Sequence, residues 1–184
     1  GGPSVKPYMP EAVWDETSVY GDMRNYKADQ GEGLYRRSLY TIWKRTAAPP
    51  SMLLFDSATR EVCTVKRSRS NTPLQALTLQ NDATYLESSQ AIAAELLREG
   101  GDATRIQSLF RRVLSREAND QEAALLGRTL MKARAHYRAQ PAAAAQFLRV
   151  GQRVHADGAD LSELAAWTVV ASLTLNLDEA ITRE

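Results

Sequence analysis

The chain has 184 residues, 43% of them hydrophobic and 24% charged, with a formal net charge of +1. A chain of this length can bury a core without cross-links. Its balance of charge excludes a global field that would pull it to nucleic acid or to a membrane. The single cysteine, Cys63, excludes an internal disulfide and any multi-cysteine zinc site. No run approaches the roughly 18 apolar residues of a membrane span. Leu164 to Leu177 comes nearest, but Ser172 and Asn176 interrupt it, and it reads as a buried core helix. The chain opens on Gly1-Gly2-Pro3-Ser4 and is expected to be a piece of a longer protein, so the lack of a signal peptide carries no weight.

Composition shifts near residue 56. Five of the seven prolines and eight of the thirteen aromatic residues precede it. Residues 1–56 are therefore expected to form an irregular arm of short elements packed by Tyr and Trp. Pro10 suits the first position of a short helix through Trp14 to Thr17. Gly21, Gly31 and Gly33 then punctuate a loop. In "LYRRSLYTIWKRT", Tyr35, Leu39, Ile42 and Trp43 share one helical face, which predicts a helix over 34–46, although the aromatic content would also suit a strand. Ala47-Ala48-Pro49-Pro50 should end it.

From residue 57 to 184 the pattern is that of a helical bundle. Thr72 and Pro73 make a helix start, with Leu74, Leu77 and Asn81 on one face. Asp82 caps a second helix through Leu97, turning Tyr85, Ile92 and Leu96 inward, and Gly100-Gly101 stop it. Asp102 is expected to cap the next, whose stripe is Ile106, Leu109, Phe110, Val113 and Leu114. Asn119 or Asp120 starts a helix through Leu125, Leu126, Leu130 and Tyr137. Pro141 begins a short alanine-rich helix ending at Gly151. Asp160 and Glu163 form a variant capping box. The helix after it is apolar on nearly every side and should sit at the centre of the bundle. The fold class is mainly α.

Four long stretches carry a resemblance: "GGPSVKPY", "LYRRSLYTIWKRT", "SMLLFDSATREVCTVKRSRSNTPLQALTLQND" and "ELAAWTVVASLTLNLDEAITRE". Together they resemble the planctomycete cytochrome-associated domain of unknown function, number 1553 in that series, over nearly the whole chain and as the C-terminal part of that domain. The resemblance implies a large multidomain protein with a secretion signal and a c-type haem domain upstream, and hence an extracytoplasmic location. It transfers no catalytic residues. With one cysteine the chain has no C-x-x-C-H, so no cofactor is expected in this segment and any haem would sit on an upstream one. The missing N-terminal part is expected to leave an apolar face that promotes association.

Several residues carry chemistry. Cys63 lies near Arg60, Lys66 and Arg67, which would favour a thiolate. Flanked by Val62 and Val65, it is nevertheless expected to be packed and inert. Lys66, Arg67 and Arg69 run into the helix start at Thr72, a combination of guanidinium forks and free amide groups that suits an anion. The competing reading pairs these cations with Asp56 and Glu61, or leaves them simply solvated. Aromatic residues are not interleaved here, which argues against nucleic acid. Asn81 and Asp82, with Asn176 and Asp178, are candidates for a polar cleft, though all stand where helices begin or end and caps form. His136 and His155 read as surface residues. No spacing forms a catalytic constellation, so whether the parent is an enzyme is left open. The expected function is a helical module for assembly, or for docking an upstream domain of the same polypeptide, an anionic ligand or a polysaccharide. The alternative is a wall of a redox or polysaccharide-processing active site, with Arg67, Arg69, Asp82 and Asp178 meeting in one cleft.

Overall fold

The computed structural model describes residues 2–10, 13, 26–44, 48–59, 61–155 and 160–182. The helix expected from Pro10 to Thr17, and the loop glycine Gly21, fall mostly or wholly outside these. Among the described residues the chain is mainly α: eight α-helices, two short 3-10 turns and no strand beyond one isolated parallel bridge between Val5 and Thr41. It divides into two compact units, Gly1–Gln75 and Ala76–Glu184. Residues 57–75 thus belong with the first unit.

The first unit is irregular at its start. Two 3-10 turns, Gly31–Tyr35 and Ser38–Tyr40, occupy the place of the helix expected over 34–46. The chain then runs extended: the Val5 amide donates to the Tyr40 carbonyl at 2.8 Å, and the Ile42 amide to the Val5 carbonyl at 2.9 Å. The β-branched and aromatic residues of this stretch suit pairing with the N-terminal segment better than an i to i−4 ladder. Tyr35 and Leu39, assigned to the buried helical face, are exposed, and Leu34 is buried in their place. The Arg36 guanidinium stacks 4.0 Å from the centre of the Tyr40 ring and donates to the Pro3 carbonyl at 3.1 Å. Tyr26 donates to the Pro7 carbonyl; burial, then the nearby Asp29 charge, push its pKa up to about 12. Pro49-Pro50 does more than end a segment. It opens α1, Pro50–Leu54, with proline at the first helical position.

α2 spans Pro73–Asn81, and the boundary between the units falls inside it. The second unit holds α3 (Ala83–Leu96), α4 (Asp102–Leu114), α5 (Asp120–Ala139), α6 (Pro141–Leu148), α7 (Leu161–Leu175) and α8 (Asp178–Ile181). α7 packs against α3, α4, α5, α6 and α8, which makes it the central helix. It is buried on most of its circumference, as its sequence demands. Ala165, Ala166 and Ala171 let neighbours approach closely, and Trp167 and Val170 fill the space between them. The hydroxyls of Thr168 and Thr174 would be unsatisfied there. They donate instead to the carbonyls of Leu164 and Val170, at 2.8 and 3.0 Å. Trp167 packs in one core with Leu96, Leu109, Phe110 and Leu130. Removing so large a buried side chain costs about 3–5 kcal/mol.

The starts of these helices follow local chemistry. The Asp82 side chain accepts from the Thr84 amide at 2.8 Å. Asn119 and Glu122 form a full capping box. Asp160 accepts from the Glu163 amide at 3.1 Å, but the Glu163 carboxylate turns away to Arg134 and Trp167, so only half of the expected box forms there. Asp102 is the first residue of α4 and not its cap; Gly101 takes that position, and the Asp102 carboxylate faces Arg134.

Candidate functional site

The stretch between α1 and α2 combines a rigid base with an exposed tip. α1 ends in a Schellman arrangement: Asp56 takes a left-handed backbone (φ 59°), the Asp56 amide donates to the Leu53 carbonyl, and the Ser57 amide reaches back to Met52 at 2.9 Å. Asp tolerates this conformation better than most residues because its short polar side chain can bond locally. Here that side chain serves a second purpose. Its carboxylate accepts from the Ser70 amide at 2.7 Å and from the Ser70 hydroxyl at 2.9 Å, with the Ser68 hydroxyl at 3.5 Å. Residues 56 and 70 are thereby held side by side, below the exposed residues 61–69.

Gln75 locks the same base. Its side chain is fully buried. Nε2 donates to the Leu54 carbonyl at 2.7 Å and to the Ser70 hydroxyl at 3.1 Å. Oε1 accepts from the Thr72 amide at 2.8 Å, and the Gln75 amide donates to Thr72 Oγ1 at 3.3 Å. This is a reciprocal capping box of the Thr-x-x-Gln kind. Both donors and the acceptor of the buried amide are used, which is what burial of a polar group requires. Sequence reasoning identified Thr72 as a cap but passed over Gln75. The Thr-Pro-Leu-Gln spacing was the available signal.

Above this base, residues 61–69 are all exposed. Cys63 is among them, which corrects the expectation that it is packed. The error came from treating Val62 and Val65 as an inward face. The segment has no helical or strand period to define a face, and both valines point to water, at 71% and 104% of full exposure. Lys66 and Arg67 are likewise exposed, and among the described residues neither makes a hydrogen bond or ion pair. Their expected partner Asp56 is engaged by the serines. Thr72 stands at the loop's exit, with its hydroxyl and amide committed to Gln75. Since Pro73 has no N–H, the helix start offers an anion fewer free amides than an uncapped one.

The candidate polar residues of the second unit take structural roles. Asn81 Nδ2 donates to the Leu77 carbonyl at 2.7 Å. Asp82 caps α3. Asn176 Nδ2 reaches the Ala76 carbonyl at 3.3 Å, tying the end of α7 to α2. Asp178 accepts from the Thr182 hydroxyl at 3.0 Å. His136 is exposed and packs edge-on against Tyr137, and His155 Nε2 lies 3.0 Å from the Leu148 carbonyl. Among the described residues no group of three or more His, Cys, Asp and Glu is placed to hold a metal ion.

Three polar constellations escaped the sequence reading. Arg134 of α5 forks onto both oxygens of Asp102, at 2.9 and 3.1 Å, and onto Glu163, which also accepts from the Trp167 indole at 3.1 Å. That guanidinium holds the Asp102 carboxyl below the usual carboxylate range. Arg116 bridges Glu122 and Glu179 at 2.8 and 2.7 Å and lowers both acids. The buried Glu87 of α3 accepts from the amides of Gln152 and Arg153, the latter at 2.9 Å, and so fixes the chain after α6. Each joins residues far apart in sequence, where no local period announces them.

Residues 1–130 match the family model PSD1, described as Protein of unknown function (DUF1553). The chain belongs to this family. No curated protein and no solved structure matches it. The DUF1553 match takes in the whole clamped loop, α1 to α4 and the first half of α5. The ending around α7, which carried part of the resemblance, lies beyond the matched residues.

Proposed function

We propose that the chain is a docking module that presents residues 61–69 to an anionic partner. The observation that carries this is the contrast within the loop. Its base is fixed by Asp56, Ser70 and Gln75, while Lys66 and Arg67 stand exposed with no partner among the described residues. Tying the loop's ends together removes part of the chain entropy that binding would otherwise cost. Arginine and lysine side by side suit sulfate, phosphate or carboxylate groups.

In the same reading the module is part of a multidomain protein acting outside the cytoplasm, docked to its own upstream domains, with any haem carried on a separate segment. The likeness of its motifs to a cytochrome-associated family supports this part.

Titration with dextran sulfate, followed by tryptophan fluorescence, tests the docking. Wild type should bind, and binding should weaken as salt screens the contact. Lys66→Ala/Arg67→Ala should bind less tightly and with a shallower salt dependence. Equal affinity of the two proteins would refute the role of the loop.

A further inference from the structure

We infer that the loop of residues 61–69 is a peripheral membrane contact, in which Val62 and Val65 enter the headgroup region of an anionic bilayer while Lys66 and Arg67 hold its phosphates. This rests on the docking reading and names the partner's chemistry. A free polyanion asks only for cations. The loop offers something more: two valines turned to water, one of them at 104% of full exposure, immediately before the basic cluster. Single exposed apolar residues are ordinary. Here two share one exposed segment with Lys66, Arg67 and Arg69, whose three positive charges outnumber the single negative charge of the exposed Glu61.

A bilayer surface supplies both halves of the complement: an apolar boundary for short side chains and anionic headgroups for the cations beside them. The clamp at Asp56, Ser70 and Gln75 holds the two ends of this exposed segment together. No helix of the described residues is long and apolar enough to cross a membrane. The contact inferred here is one of insertion to shallow depth by a loop, and it needs no such helix.

Co-sedimentation of the 184-residue chain with vesicles tests it. Wild type should pellet with vesicles of equal parts phosphatidylglycerol and phosphatidylcholine, and stay in solution with phosphatidylcholine alone. Lys66→Ala/Arg67→Ala should lower the partition by about thirtyfold. Val62→Ser/Val65→Ser should lower it about tenfold while leaving dextran sulfate binding unchanged. Circular dichroism confirms that each variant keeps its helices. If the serine variant pellets as well as wild type, or if wild type binds dextran sulfate but no vesicle, the membrane inference is overturned and the docking reading stands. If wild type binds neither, both fall.

Discussion

Gly151→Ala should be among the most damaging single-methyl changes in the molecule. Gly151 has φ +89°, a region L residues rarely adopt, and a Cβ placed on it falls onto the carboxylate of Glu87. The strain of forcing a side chain into a left-handed backbone is about 1–2 kcal/mol. Glu87 cannot swing clear into water, since it is 2% exposed, and it accepts from the amides of Gln152 and Arg153. Losing one such bond to a charged acceptor costs about 1.5–3 kcal/mol. The sum is about 3–5 kcal/mol, which for a chain of this size lowers the melting temperature by about 6–20 °C. Calorimetry of the purified variant reads this directly. Gly127→Ala is the matched control: it lies in α5 with nothing within 4 Å of its added Cβ. Alanine there should raise stability by about 0.5–1 kcal/mol, because helix is favoured and no contact is disturbed. Adding Glu87→Ala to Gly151→Ala should cost less than the two changes summed, since the clash would have been removed. A Gly151→Ala protein that melts with wild type, or a strictly additive double variant, would refute the reasoning.

Gln75→Leu keeps volume but strands the Leu54 carbonyl, the Ser70 hydroxyl and the Thr72 amide; a loss of about 2–4 kcal/mol is expected by denaturant titration, with faster hydrogen exchange at Ser70 and Thr72. Cys63 should react fully with a thiol reagent under native conditions, and Cys63→Ser should leave stability within about 0.5 kcal/mol of wild type; protection that is lifted only by denaturant would contradict its exposure. Acid should destabilise the bundle through Asp102 and Glu122. Their folded pKa values are depressed, so the stability they contribute is present above the unfolded values and is lost as pH falls through the folded ones. The melting temperature should therefore hold to about pH 4.5 and decline below it, and Arg134→Met should flatten that acid decline as well as lowering the neutral-pH value.

Much of the bundle was legible because its signals are local. Asp82, Asn119, Pro141 and Asp160 announce helix starts through their own side chains or ring, and the all-round apolarity of α7 announces a central helix. What misled was inference of burial from short apolar runs. Tyr35, Leu39, Val62 and Val65 looked inward on spacing alone, yet in a non-helical backbone the spacing carries no face. Conversely the fully buried Gln75, Glu87 and Gln90 looked like surface residues by type. For Gln75 and Glu87 that burial is made tolerable by backbone groups that only the fold brings to them, Leu54 and Thr72 for Gln75 and Gln152 and Arg153 for Glu87, whereas Gln90 gains only a 3.5 Å bond to the Val150 carbonyl. At the candidate site, the basic cluster and the Thr72 cap could be read directly. The clamp that ties the ends of this segment could not, because it joins Asp56 to Ser70 across the residues between them.

The order in which the chain emerges gives the central position of α7 a further meaning. Helices α3 to α6 are synthesised before the element against which all of them pack. Until residues 161–175 have left the ribosome, Leu96, Leu109 and Phe110 lack the Trp167 face that completes their core. Before that point those side chains stay exposed to water, the condition that favours mispairing with other chains. Completion of the core therefore depends on α7, a helix near the C-terminal end of the described chain.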